Sequence, residues 1–213
     1  MYKSFVDQVN MKGHLTIHKV ANGEEELVYD ENNVITSGFG FSLSNLYGLA
    51  GSVDITDYQI DRFQLGVSGN SGRQVSSTFE MGDPLSSVAE YTTNGDSNLH
   101  AFQEKIYKNN LATAPDAIFC KIPFSKVTRI DERSIRYTIF IDEDSCNDLS
   151  RQENTVGSGG TAGVSLNEIA LFVKNPTGTL ADEISPMAAY RYFSNIRKTS
   201  DFGLVFRWTI TFG

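Results

Sequence analysis

The stretch Tyr190 to Gly213 reads YRYFSNIRKTSDFGLVFRWTITFG, an aromatic approach, a basic turn and then an unbroken strand pattern. Phe202, Leu204, Phe206, Trp208, Ile210 and Phe212 fall on one face, with Gly203, Val205, Arg207, Thr209 and Thr211 on the other. A strand this apolar on one side needs sheet neighbours and a core to cover it. The final strand is therefore expected to sit centrally in a β-rich domain, with those six residues as its core face.

Working outward, the rest of the chain repeats the same period. HLTIHKV at 14–20 alternates, and Asn22-Gly23 supplies the strongest short hairpin signal, because both central positions of a type I′ turn need positive φ. An N-terminal hairpin over 13–29 follows. Asp57 to Val67 alternates again, with Asp61 and Arg62 marking a bulge or a change of face. AIFCKIPF, KVTRID, SIRYTIFID and VSLNEIALFVKN are further strand runs rich in β-branched and aromatic residues. Two segments break the pattern. Phe41, Leu43, Leu46, Leu49 and Ala50 have helical spacing, predicting a short helix near 41–50. A polar excursion over 68–116 carries one candidate helix, near 98–111, through Leu99, Phe102, Ile106 and Leu111. The fold class expected is mainly β, a single antiparallel β-sandwich or barrel-like domain over 1–213.

Composition narrows the function classes. A formal net charge of −8 argues against a surface built to neutralise phosphates or anionic lipid, so neither nucleic acid nor membrane is an expected partner. The N-terminal residues show no apolar signal-type region, and no run approaches the ~18 apolar residues of a spanning helix, so cytoplasmic synthesis without secretion is expected. Two cysteines, Cys120 and Cys146, have no metal-type spacing and are expected as free thiols.

The search for chemistry is mostly negative. There is no GxSxG elbow, no phosphate loop and no HExxH. His14 and His18 stand four apart, but on a strand that spacing separates them by roughly 13 Å, too far to share one metal ion. The acidic run Asp142 to Asp148 places Asp142, Asp144, Asp148 and Glu153 at EF-hand ligand positions. Cys146 and Asn147 then stand where that loop needs an oxygen ligand and a glycine, and a solvated acidic turn is the reading preferred. Gly157, Gly159 and Gly160 lack the lysine and helix of a phosphate cradle. Tyr190, Tyr192 and Phe193 beside Arg191, Arg197 and Lys198 could stack bases, but core packing with basic residues at the rim is preferred. No catalytic, cofactor-binding or metal-binding residue is assigned.

The order of these segments resembles that in tailed-bacteriophage virion proteins, particularly small tail and tail-fibre-associated structural proteins. The matching segments are the hairpin leading into NVITSGFGFSLSNLYGLAG, the strand FQLGVSGN of an "fGtG" type, RYTIFIDEDSCND with its acidic turn, and LNEIALFV of an "inElgLF" type. AYRYFSNIRKTSDFGLVFRWTITF closes the series as an "Ar..F.pi.K...l...W.i.F" pattern. The resemblance implies a non-enzymatic structural subunit localised to the virion, in the tail, neck or baseplate. It would be homo-oligomeric and bound to other virion proteins, with Arg191, Arg197 and Lys198 as interface residues. The alternative it implies is a capsid decoration protein or a module binding a host-surface glycan.

Overall fold

Most of the alternating runs form strands, of which there are thirteen among the described residues. In a computed structural model, residues 11–48, 54–67, 69, 91–93, 105–108, 118–151, 161–162, 164–174 and 185–213 are described. The strands are β1 (Met11–Ala21), β2 (Glu24–Ile35), β3 (Ile60–Gly66), β4 (Tyr91–Thr93), β5 (Lys105–Lys108), β6 (Ile118–Lys121) and β7 (Val127–Arg129). They continue with β8 (Ser134–Ile141), β9 (Leu149–Arg151), β10 (Thr161–Ala162), β11 (Leu166–Val173), β12 (Met187–Ile196) and β13 (Gly203–Phe212). One α-helix, α1 (Ser37–Gly48), lies among the described residues, beside two short 3-10 turns at Ile55–Tyr58 and Phe124–Lys126.

Every strand pairing is antiparallel. Ten strands make one sheet in the order β5-β6-β3-β11-β12-β2-β1-β13-β8-β7, and β10-β9-β4 form a small second sheet. The large sheet curls into a half-barrel, the barrel-like of the two architectures expected. The hairpin turns at Asn22 (φ 53°) and Gly23 (φ 81°), both left-handed as a type I′ turn requires. β2 then runs beyond the expected end at Tyr29. Its first part pairs with β1, and its last two residues, Val34 and Ile35, pair with Tyr190 and Ala189 of β12. This long strand joins the two halves of the sheet.

β13 is inserted between β1 and β8, running from Met11↔Phe212 to Val20↔Gly203 on one side and from Leu204↔Ile141 to Thr211↔Ser134 on the other. Leu204, Phe206, Trp208 and Ile210 are fully buried, while Phe202 and Phe212 pack partly exposed at its ends. On the same concave side lie Leu15, Ile17, Tyr137, Ile139 and Ile141 from its neighbours, and Phe63, Leu65, Ile169 and Leu171 from the other half. β11 is covered on both faces: Ala170 and Phe172 join Met187 and Tyr190 in a second, smaller cluster. Two charged side chains are buried on the same strands. Arg62 is held by Asp61 (Nε to Oδ1 2.7 Å) and Ser185 (2.9 Å), and Glu168 accepts from the Tyr190 hydroxyl at 2.8 Å. The register of β3 against β11 slips where Asp61 is passed over, so a bulge sits at the Asp61–Arg62 pair.

The short helix expected near 41–50 is present as α1, which begins at Ser37 and whose described part ends at Gly48. One expectation is corrected. In the span 98–111 the described residues 105–108 form strand β5, not helix. Lys105, Tyr107 and Lys108 pair with Cys120, Phe119 and Ile118, and that sheet edge overrides the helical spacing of the apolar residues. The rest of that span, and most of the excursion 68–116, lies outside the described residues. So do Glu153, Gly157, Gly159 and Gly160, although the two ends of their loop meet as β9 and β10.

Candidate functional site

The three basic residues expected together at an interface separate into two environments. Arg191 stands in the middle of β12, opposite Ile169 of β11. Its guanidinium lies 5.6 Å from the Tyr29 ring centre and 5.0 Å from that of Tyr192, a stacking that suits a planar cation. It also donates to the Tyr29 hydroxyl and pairs with Glu31. Burial raises the Tyr29 phenol above its ordinary value, against the opposing pull of Arg191. Arg191 is thus committed to a local cluster on β2 and β12.

Arg197 and Lys198 follow β12 and meet the acidic turn after β8. Lys198 does not act as a rim contact, because it is only 2 % exposed. Its ammonium donates to the Glu143 carbonyl (3.2 Å), Asn147 Oδ1 (2.8 Å) and the Thr199 carbonyl (2.8 Å), while its own carbonyl accepts from the Asp148 amide at 2.7 Å. The turn therefore carries a built-in cation where a calcium ion was the alternative reading. Three oxygens converge on Nζ, and Cys146 with the carboxylates of Asp142, Glu143 and Asp144 offsets the cost of burying its charge only in part. Burial remains the largest influence and holds Lys198 below the usual lysine range. Arg197 stays exposed and pairs with Asp148 at 3.0 Å. Cys146 and Asp148 take left-handed backbone angles, φ 58° and 42°, which the turn imposes on residues with a Cβ. Cys146 points inward, fully buried, and burial pushes its thiol up to about 12 in spite of nearby Lys198, so it is no ready nucleophile.

The convex face of β8, β13, β1 and β2 offers a different surface. Across it run rows of directly opposed residues. One is Thr138, Arg207, Thr16 and Asp30; the next is Phe140, Val205, His18 and Leu27. The polar positions tie neighbours together: His14 meets Asp30 at 2.7 Å, and Arg207 donates twice to Glu25 at 2.8 Å while lying 3.0 Å from His18 Nδ1. Burial and the adjacent Arg207 lower the His18 imidazole below its ordinary value. The two histidines thus engage separate partners. No group of three metal-ligating side chains occurs among the described residues.

At the two ends of the second row an apolar side chain faces outward, Phe140 and Leu27 each being 51 % exposed. Beyond Tyr137, which pairs with Val127, β8 has no strand on its outer side among the described residues, so Thr138 to Ile141 form an edge beside Phe140 that no described strand covers. Phe124 and Ile130, flanking the short β7, are also exposed. Sequence reasoning missed this surface. Its signal was present in SIRYTIFI, where Phe140 occupies the phase otherwise held by Arg136 and Thr138. Chemically the arrangement can accept a strand or an apolar surface; it contains no arranged acid, base and nucleophile.

Comparison with family models, curated proteins and solved structures finds no match to this chain.

Proposed function

We propose that the chain is a non-enzymatic structural subunit of a bacteriophage particle. In this reading it works as a homo-oligomer in the tail, neck or baseplate, in contact with other virion proteins. The observation that carries the reading is the edge of β8 at Thr138 to Ile141, which no strand covers among the described residues, with Phe140 exposed beside it. Exposed strand edges next to apolar side chains are sites where a further chain adds by main-chain hydrogen bonds, and proteins that stay monomeric usually blunt them. The ordered run of tail-protein-like segments supports the same class, and this edge supplies a place for the neighbour.

Light scattering on the purified protein tests the assembly half of the proposal. A closed oligomer is expected at micromolar concentration, and a strictly monomeric wild-type chain contradicts self-assembly. Mass spectrometry of purified particles tests the virion half. The chain should be present at many copies per particle, and its absence overturns the assignment.

A further inference from the structure

A lysine amine and an asparagine carboxamide meet where the turn after β8 touches the turn before β13. Lys198 Nζ lies 2.8 Å from Oδ1 of Asn147, although the two residues stand 51 apart in sequence. A C=O bond is ~1.23 Å long, so the amine sits ~3–4 Å from the carboxamide carbon Cγ, close to the ~3–3.5 Å from which bonds form. The Glu143 carbonyl accepts from both nitrogens of the pair, from Lys198 Nζ at 3.2 Å and from Asn147 Nδ2 at 2.5 Å. One oxygen thus holds the nitrogen that would attack and the nitrogen that would leave.

The surroundings suit the amine as a nucleophile. An ammonium is strongly hydrated in water, whereas Lys198 is almost wholly buried and the three oxygens it donates to, of Glu143, Asn147 and Thr199, are all uncharged. Those three acceptors fix Nζ in place before it reacts. Burial holds its proton affinity below the ordinary lysine value, which raises the share of neutral amine. The carboxylates of Asp142, Glu143 and Asp144 lie close enough to act on its charge and can receive the proton it gives up. Asn147 is only half-buried, so a small leaving group has a way out.

We propose that Lys198 and Asn147 join in an intramolecular isopeptide bond formed by the folded chain itself. A first proton passes from the ammonium to a neighbouring carboxylate, and the freed lone pair makes the Nζ–Cγ bond. A second proton moves from Nζ to Nδ2, the Cγ–Nδ2 bond breaks, and ammonia departs and takes up the first proton. Nothing is oxidised or reduced, and no further reactant enters. Before it reacts, Lys198 titrates as the buried amine already described. The bond would clamp the start of β13 to the end of β8, the two strands paired from Leu204↔Ile141 onward, and would close the chain between 147 and 198 into a loop. It does not depend on the proposed assembly role.

Mass spectrometry of the intact, purified chain tests this after incubation at mildly alkaline pH. The wild type should be lighter than its sequence by about 17 Da, the mass of one ammonia, while Lys198→Arg and Asn147→Ala keep their full masses. Trypsin should release a branched peptide joining 137–151 to 198–207, because an acylated Lys198 is no longer cut. A wild-type chain of full mass overturns the inference. So does the same loss of mass confined to 137–151 with Lys198 free, which would mark a succinimide at Asn147 instead.

Discussion

The indole of Trp208 donates to Oδ1 of Asn33 at 2.7 Å, reaching across the intervening strand β1. The bond passes at Gly13, where an added Cβ would lie 2.1 Å from that same oxygen. Gly13 is thus required for a close approach and not for an unusual backbone angle. Gly13→Ala should swing the Asn33 amide away and leave the buried Trp208 N–H unpaired, a loss of about 1–3 kcal/mol. Asn33→Ala should cost a similar amount. Because both changes remove one bond, the double variant in a urea melt should lose clearly less than the sum of the singles; strict additivity would contradict the arrangement.

Removing residues 202–213 should abolish folding. The segment supplies the strand between β1 and β8 and buries Leu204, Phe206, Trp208 and Ile210. At ~1.5–3 kcal/mol for each large buried side chain the loss is comparable to the ~5–15 kcal/mol stability of a whole domain. A truncated chain that still melts cooperatively would refute the central placement of β13.

Much of this was legible in the residues. The Asn22-Gly23 turn and the strict alternation of 202–212 specify local geometry and one buried face, and the hairpin and the terminal strand follow from them. What was illegible depends on partners distant in sequence. Lys198 looks like a rim residue by type, and only the fold brings the oxygens of Glu143 and Asn147 around it. Lys105–Lys108 has helical spacing in its surroundings, yet an edge at β6 takes it as strand. β11 reads as a continuous apolar run because both of its faces are covered, and period two cannot reveal that.

Stability should fall in alkali through Cys146. Its thiol is raised from 9.0 to about 12 in the folded chain, so its stabilising contribution is complete below pH 9 and is lost as pH rises from there toward 12. Lys198 acts with the opposite sign: its lowered value means that the folded chain releases the proton first, and its contribution grows with pH up to 10.5. Urea midpoints between pH 8 and 11 should therefore decline less steeply in Cys146→Ala than in the wild type. The limiting difference for one proton is about 1.4 kcal/mol per pH unit. Parallel declines would mean that Cys146 does not carry the effect.

Tyr58→Phe should leave thermal stability unchanged or raise it by up to about 1 kcal/mol, since it removes a buried hydroxyl that has no partner among the described residues. Calorimetry of the variant measures this. A marked fall in melting temperature would show that this hydroxyl is already satisfied.

Phe140→Glu should leave the fold intact, because the side chain is half exposed on the convex face. The introduced charge would sit beside the same edge of β8 and disfavour an apolar neighbour. Light scattering should show the wild-type oligomer reduced to monomer while the melting temperature changes little. An undisturbed oligomer would move the interface elsewhere.

Cryo-electron microscopy of the intact particle tests the central claim most directly. The account predicts symmetric, repeated copies of this half-barrel in the tail, neck or baseplate, with a neighbouring chain seated along Thr138 to Ile141. Density for the chain confined to the outside of the capsid shell, or a single unsymmetrised copy, would contradict it and favour the decoration or receptor-binding alternative.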